Sequence, residues 1–579
     1  MKVFQKNGRS VSLTQKDFIA GGGEGRVFGK KNRAYKIYND PAKMIPSAKI
    51  DELKTLSRDH ILVPKEVVFN EQNIPIGFTM DWIRQAQPLC RLFTNDFRDR
   101  HRITPEMTVR LVETMKETIA YIHQRHCLIV DGNEFNYLVD DRDFTQPYFI
   151  DVDSYQTPRF PATAVMNTIL DPLAQKFTAL SDWFGFAIVA CQLFVGIHPF
   201  KGRHPGYHKH ELERRMKDHV SIFNPAVSCP PATRDFNLIP AGYRDWFTAM
   251  FEAGKRVFPP RTPSGGTRAA IVLTSRIKKI SQAGYFDIKC IREFPEPVLR
   301  HRTVFGMGIT FTRSRVYIDH RGFAASPENE VVFSRERLAP VLVSIEQGYV
   351  KTRSLDGRRI LAPVLKARKI MVIENTLYIK NEDRLSQVVF VDQNEMILQT
   401  VSQTWPVMPH SAEVFDGLLI QNVLGQPFLV IPIPEVGGRG RCIVKPLPEL
   451  EACRIISAGH DNGVVVIHVH KDGKYHRLII KFDALYKKYN CRMIEDIDPA
   501  AVNFVTLTNG ITVMVTDEGL EVFDHRYDRP DIKQIDDATV NGNMKLSRDH
   551  DRVLYYRENK LYRLSMKKTG GDVRERRIK

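Results

Sequence analysis

Three short segments carry the residue types needed to handle a phosphate-bearing ligand. The first is Ala20-Gly21-Gly22-Gly23-Glu24-Gly25-Arg26-Val27-Phe28, followed by Ala34-Tyr35-Lys36-Ile37. Glycines in a hairpin let backbone N–H groups approach phosphate oxygens, and a lysine on the next strand neutralises their charge. The second is Ile129-Val130-Asp131-Gly132-Asn133-Glu134-Phe135-Asn136, with an Asp and an Asn five residues apart ahead of an apolar strand. That spacing presents a carboxylate to a substrate hydroxyl and an amide oxygen to a metal. In the third, Tyr148-Phe149-Ile150-Asp151-Val152-Asp153, a strand ends in carboxylates. Each segment alone reads as well as a turn or a capping Asp, and it is their order along one chain that points to phosphoryl transfer.

The elements that must position these residues are legible in outline. Residues 18–38 alternate apolar and polar around the glycines, and 74–83 is strand-like. Thr104-Pro105-Glu106 supplies an N-cap, a proline at the first helical position and an acidic next residue, for an amphipathic helix running to about Arg125. A second helix is expected over 181–195, and Pro259-Pro260-Arg261-Thr262-Pro263-Ser264-Gly265-Gly266 reads as a terminator and linker. Beyond about residue 295 the character changes to short strands joined by tight polar turns. Clear hairpins are 369–381, 510–524 and 551–565, and others can be drawn near 304–323, 340–356, 412–433 and 456–482. Their recurrence suits the blades of a β-propeller, six or seven in number, over a β-sandwich pair.

Composition narrows the class. The 579 residues exceed a single domain, and 43% hydrophobic with 26% charged residues is ordinary globular usage. The net charge of +17 is spread thinly, with 36 Lys and Arg against 29 Asp and Glu in residues 1–265 and 48 against 38 in 266–579. Only the last residues, from Lys567 to Lys579, look like a basic tail, so no nucleic-acid partner is expected. Eight scattered cysteines form no metal-binding spacing, no secretory signal opens the chain, and the longest apolar run, Trp183 to Ile197, is too short for a membrane span. A cytoplasmic location with no membrane span is expected. The histidines at 198, 204, 208 and 210 read as a solvated loop, and His468 and His470 as one face of a strand.

With these motifs assembled, residues 1–263 resemble a protein kinase catalytic domain, of the bacterial Ser/Thr kinase branch with a Gly-Gly-Glu-Gly loop and an Asp-x-Asp-Ser-Tyr/Phe-Gln segment. The resemblance implies a multidomain protein: a bilobal α+β kinase-like fold, with a small lobe over about 1–83 and a large lobe over 84–263. A linker over 264–294, a β-propeller-like domain over 295–568 and a basic tail over 569–579 would follow. It implies ATP bound by Gly22, Gly23, Gly25, Val27 and Lys36, with Met80, Asp81, Trp82 and Ile83 as the adenine-binding hinge. Mg²⁺ or Mn²⁺ would be held by Asn136 and Asp151, Asp131 would be the catalytic Asp, and Glu52 would pair with Lys36. Asp182 would anchor the catalytic-loop backbone from a buried central helix, and Arg261 would pair with Asp171. Asp153 stands at the glycine of the family's Asp-Phe-Gly motif and is a candidate third metal ligand.

The chain departs from the family pattern at Ile129 and Val130, where His and Arg usually precede the catalytic Asp, and at Asn133, where Lys is usual. A phosphorylated activation loop therefore lacks its usual Arg partner. The expected function is ATP-dependent transfer of a γ-phosphoryl group to a protein Ser or Thr hydroxyl, with the propeller binding a partner or sensing a signal. A pseudokinase scaffold and a small-molecule phosphotransferase are the alternatives.

Overall fold

The computed structural model describes residues 1–163, 166–263, 286–434, 440–498, 501–516, 519–529, 532–535, 540 and 542–566. Its N-terminal part begins with a seven-stranded antiparallel sheet. The strands are β1 (Lys2–Gln5), β2 (Ser10–Ser12), β3 (Phe18–Gly21), β4 (Gly25–Lys30), β5 (Arg33–Tyr38), β6 (Val67–Phe69) and β7 (Pro75–Asp81), in the order β2-β1-β6-β7-β5-β4-β3. Period-two alternation puts Lys36 and Tyr38 of β5 on one face. A short helix, α1 (Ser47–Leu53), lies between β5 and β6 and packs on the turn Val152–Ser154.

The helical part follows. It comprises α2 (Asn95–Arg100), α3 (Pro105–Gln124), α4 (Ala179–Val195), α5 (Leu212–Lys217) and α6 (Ala241–Phe247), with a small sheet of β8 (Ala86–Pro88), β9 (Tyr137–Asp140) and β10 (Pro147–Phe149). The expected cap is present: the Thr104 hydroxyl accepts from Met107 N, and Pro105 opens α3. The apolar run that is too short for a membrane is α4, buried from Ser181 to Val195 and closed by Gly196 in the left-handed region at φ 83°. Glycine tolerates that conformation, and its N–H satisfies the Gln192 carbonyl. No helix among the described residues is long and apolar enough to cross a membrane.

From residue 286 the described chain is all β. It forms seven small sheets of three to five strands, built mostly from neighbouring hairpins, with Arg359–Leu361 added parallel to Met396–Pro406. The expected hairpins are found, with Lys369–Ile373 pairing with Thr376–Asn381, Ile511–Thr516 with Gly519–Asp524, and Arg552–Arg557 with Lys560–Met566. Adjacent sheets touch through their first strands. Glu330–Phe333 meets Lys369–Ile373, which meets Ala412–Phe415, which meets Arg454–Asp461, while Lys545–Asp549 meets both Phe504–Thr506 and Arg300–Val304. The strand β11 (Phe286–Glu293) pairs antiparallel with Lys560–Met566, so the first and last described strands of this part share one sheet. That pairing corrects the sequence-based linker: 286–293 belongs to the all-β part. Residues 264–285, the rest of the linker, and the tail 569–579 lie outside the described residues.

The two parts meet directly. Ile456, Tyr475 and Ile497 of the all-β part share one apolar core with α3 and α4. Arg91 pairs with Glu413 and Lys545 with Asp96 across the same boundary.

Candidate active site

The loop carrying Asp131 is held in a costly shape. Val130 adopts φ 63°, a left-handed conformation that a β-branched residue rarely takes and that costs about 1–3 kcal/mol. Asp182, in the first turn of α4, overcomes it. Its carboxylate accepts from Ile129 N at 2.8 Å and Val130 N at 2.9 Å, and meets His123 Nε2 at 2.9 Å. Hydrogen bonds to a buried charge are worth about 1.5–3 kcal/mol each, so two outweigh the strain. The expected anchoring role of Asp182 is thus visible in the geometry.

Asp131 is 8% exposed. Asn136 Nδ2 donates to its carbonyl at 2.8 Å and to Oδ2 at 3.2 Å, while Oδ1 is buried and accepts no hydrogen bond of good geometry. Burial pushes this carboxyl up, against the Asn133 and Asn136 amides, which pull it down. The Asn136 carbonyl accepts from Ile150 N at 3.0 Å, which fastens the loop to the start of the Asp151 turn.

Asp151 is also left-handed, at φ 58°, and opens the turn Val152–Ser154; Ser154 N and Oγ both donate back to its carbonyl. Lys36 Nζ reaches Asp151 Oδ1 at 2.8 Å, Asp153 Oδ2 at 2.6 Å and Glu24 Oε2 at 3.6 Å. Burial alone would lower the ammonium, but Asp153 and then Asp151 outweigh it and hold it well above the ordinary lysine value. Carboxylate oxygens of Glu24, Asp151 and Asp153 all lie within 4.8 Å of one another.

The glycine loop is the β3–β4 hairpin. Gly22 N donates to Gly25 O, and Asn39 Nδ2 donates to the Gly22 and Gly23 carbonyls. A Cβ on Gly25 would sit 2.6 Å from the Ile37 carbonyl, so only glycine fits there, whereas Gly22 and Gly23 face open space. Val27 follows on β4, its residue paired with Lys36. Thus Lys36, Glu24, Asp151 and Asp153 meet directly, the loop of Asp131 and Asn136 is fastened to the Asp151 turn, and Gly22, Gly23 and Gly25 lie in the adjoining hairpin.

Other expectations fail. Glu52 does not meet Lys36; it forms an ion pair with Arg159. The reason lies in α1, which buries Lys49, Ile50 and Leu53 and leaves Glu52 on its flank. Asp171 is held by Arg256, not Arg261, through two contacts of 2.6 Å, and the Arg256 guanidinium lies 4.4 Å over the Phe184 ring. On the expected hinge, Met80 pairs with Ala34 in the sheet and Asp81 is engaged with Lys65 at 2.7 Å. Trp82 packs where Gly29 lacks a side chain and meets His410 edge-on at 4.8 Å.

Sequence reasoning missed Tyr38, whose hydroxyl donates to Asp153 at 2.7 Å, and Lys49, which is 1% exposed. The available signals were the two-residue spacing from Lys36 and a lysine in the apolar stripe of a short helix. It also missed the all-β part's reach into the site. Tyr475 Oη donates to Glu134 Oε1 at 2.7 Å, and the His470 ring lies 3.9 Å from that of Phe135. Arg454 covers the same Phe135 ring at 5.0 Å. The tip of this hairpin, Asp472-Gly473, turns with both φ positive and approaches Thr168. His468 contacts Arg477 Nε at 3.1 Å, as a residue of the sheet face, and His204 sits in a turn with Tyr207.

The chain matches no protein-family model and none of the curated proteins with which it was compared.

Proposed function

We propose that this protein is an ATP-dependent phosphotransferase of the protein kinase type, acting on a protein Ser or Thr hydroxyl. The observation that supports it most is the carboxylate of Asp131: buried and pushed up despite the Asn133, Asn136 and Met166 N donors near it, with one oxygen lacking a well-formed hydrogen bond, on the loop fastened to the Asp151 turn that Lys36 meets. A structural carboxylate is expected to have its lone pairs well satisfied; one left short of donors suits a group waiting for a hydroxyl. In this reading the bare oxygen takes the proton of the attacking hydroxyl, and Lys36 orients the phosphates. The β3–β4 hairpin offers backbone N–H groups over them. Asn136 and Asp151 offer the oxygen donors that suit Mg²⁺ or Mn²⁺, and a bound ion would neutralise charge building on the phosphates. Residues 1–263 would form the two lobes around the cleft. The seven sheets would be the blades of a propeller whose first and last strands share a blade, and its outer surface would be the platform for a protein partner.

The test is transfer of radiolabelled phosphate from ATP to a generic protein acceptor by the whole chain, beside Asp151→Ala. Signal in the wild type alone supports the reading, and equal background in both overturns it. One observation favours a second reading, a binding scaffold without catalysis: Lys36 is already engaged by three acids. That reading expects background signal from both proteins and no nucleotide binding.

A further inference from the structure

We propose that Asp153, rather than an acid on α1, is the positioning residue that fixes Lys36 for the nucleotide. The inference rests on the phosphotransferase reading and names the acid on which that site depends.

A lysine is a point charge on a flexible four-carbon stem, so a buried one needs a fixed counter-ion to point it. Three acids are within reach of Lys36, and they differ in what holds them. Glu24 stands furthest, at 3.6 Å, on a side chain 42% exposed. Asp151 is 32% exposed and in the functional reading has a metal to hold, so it is not free to serve the lysine alone. Asp153 is 5% exposed, makes the shortest contact at 2.6 Å, and has the same oxygen clamped by the Tyr38 hydroxyl at 2.7 Å. Tyr38 and Lys36 share one face of β5, so strand and acid form a closed triangle that leaves the ammonium one direction.

The helix that would otherwise supply the acid buries a lysine instead. α1 packs on the Val152–Ser154 turn, but its buried polar group is Lys49, whose hydrogen bond goes to the Pro161 carbonyl at 3.3 Å. Asp153 and Glu24 both act electrostatically on Lys49. An acid in the place of Lys49 would crowd Asp153 with a second buried negative charge; a lysine there balances it. Glu52 is then surplus to the site and serves Arg159. A consequence is that Lys36 is tied to the same turn as Asp151, so one element aligns lysine and metal-binding acid and no acid of α1 is needed for it.

The experiment compares Asp153→Asn, Tyr38→Phe and Glu52→Gln in the full chain. Affinity for the non-hydrolysable ATP analogue adenylyl imidodiphosphate with Mg²⁺ is measured by calorimetry, together with kcat and KM for ATP. Asp153→Asn is expected to weaken analogue affinity and kcat/KM about 10- to 100-fold, with KM rising in step with the affinity loss. Tyr38→Phe is expected to move both the same way by about 3- to 10-fold, and Glu52→Gln to leave both within twofold. Tyr38→Phe keeps every charge in place, so it carries the comparison if Asp153→Asn does not fold. Wild-type affinity in both Asp153→Asn and Tyr38→Phe, or loss confined to Glu52→Gln, overturns the inference while leaving the phosphotransferase reading standing. A wild type that neither binds the analogue nor transfers phosphate overturns both.

Discussion

Two buried aspartates, one in each part of the chain, show how differently a protein treats the same side chain. Asp392, in the all-β part, is saturated: it accepts from Glu336 N at 3.1 Å and Arg337 N at 3.0 Å, and pairs with Arg358 at 2.8 Å. Burial alone would raise its carboxyl, yet the donors around it, Arg337 N and Ser334 foremost, bring it below the usual value. Asp131 is buried to a similar degree but has one bare oxygen, and burial wins, leaving its carboxyl raised. The same contrast runs through their surroundings. Glu330 ties its sheet to another through Arg300, whereas Glu24, Asp151 and Asp153 crowd around one lysine. Asp392 is well supplied with donors, whereas Asp131 is left short of them.

The largest test of that contrast is Asp131→Asn. We expect phosphoryl transfer to fall about 10²- to 10⁴-fold, as removal of a general base does. The thermal midpoint should hold or rise, because a buried charge with a bare oxygen is replaced by a neutral group; a fall of several degrees would make Asp131 structural and dissolve the comparison. Asp392→Ala should do the opposite, costing about 2–3 kcal/mol in denaturant unfolding by leaving two backbone donors without their acceptor and Arg358 with Asp356 alone, with kcat unchanged. Tyr475→Phe probes the boundary between the two parts. It strips the hydrogen bond from buried Glu134 and is expected to cost about 1–3 kcal/mol.

The smallest effect is in pH. Because the folded Asp392 carboxyl is depressed below its unfolded value, its contribution is complete above about pH 4 and is lost as the pH falls through the folded value. The stability gap between the wild type and Asp392→Ala should therefore narrow on acidification below about pH 4. Asp461 runs the other way, since burial raises it to about 6 against the pull of Arg548 and Thr506 N. Its unfolded form gives up the proton first, so stability from this group declines as pH rises from about 4 to 6. Asp461→Asn should flatten that decline in the thermal midpoint.

The chain's local signals revealed much of this and its tertiary geometry the rest. Thr104-Pro105 marks a helix start by itself, and a turn such as Ile373-Glu374-Asn375-Thr376 marks a hairpin, because cap and turn chemistry are local. The spacing of Asp131 and Asn136 survives into the structure for the same reason: five residues of one loop carry it. Partner choice across the chain was less legible. Whether Lys36 meets Glu52 or Asp153 depends on how α1 is rotated, and one residue of rotation turns a side chain by about 100°. Likewise nothing local decides whether Arg256 or Arg261 reaches Asp171. Tyr475 could not be foreseen at all, since its contact with Glu134 joins two parts whose docking leaves no periodic trace in either.

The pairing of β11 with Lys560–Met566 sets the order in which the molecule can be made. β11 leaves the ribosome long before its partner, and at ordinary synthesis speeds the wait is on the order of tens of seconds. Through that time it is an unmatched edge, the kind that joins strands from other chains. Its own sequence blunts the hazard: Asp287, Lys289, Arg292 and Glu293 stud the strand with charge, and a bulge between Cys290 and Arg292 breaks its regularity. The same timetable reaches the N-terminal part. Glu134 is synthesised early and stays without its hydroxyl partner until Tyr475 arrives, so the loop bearing Asp131 gains its last support only late in translation.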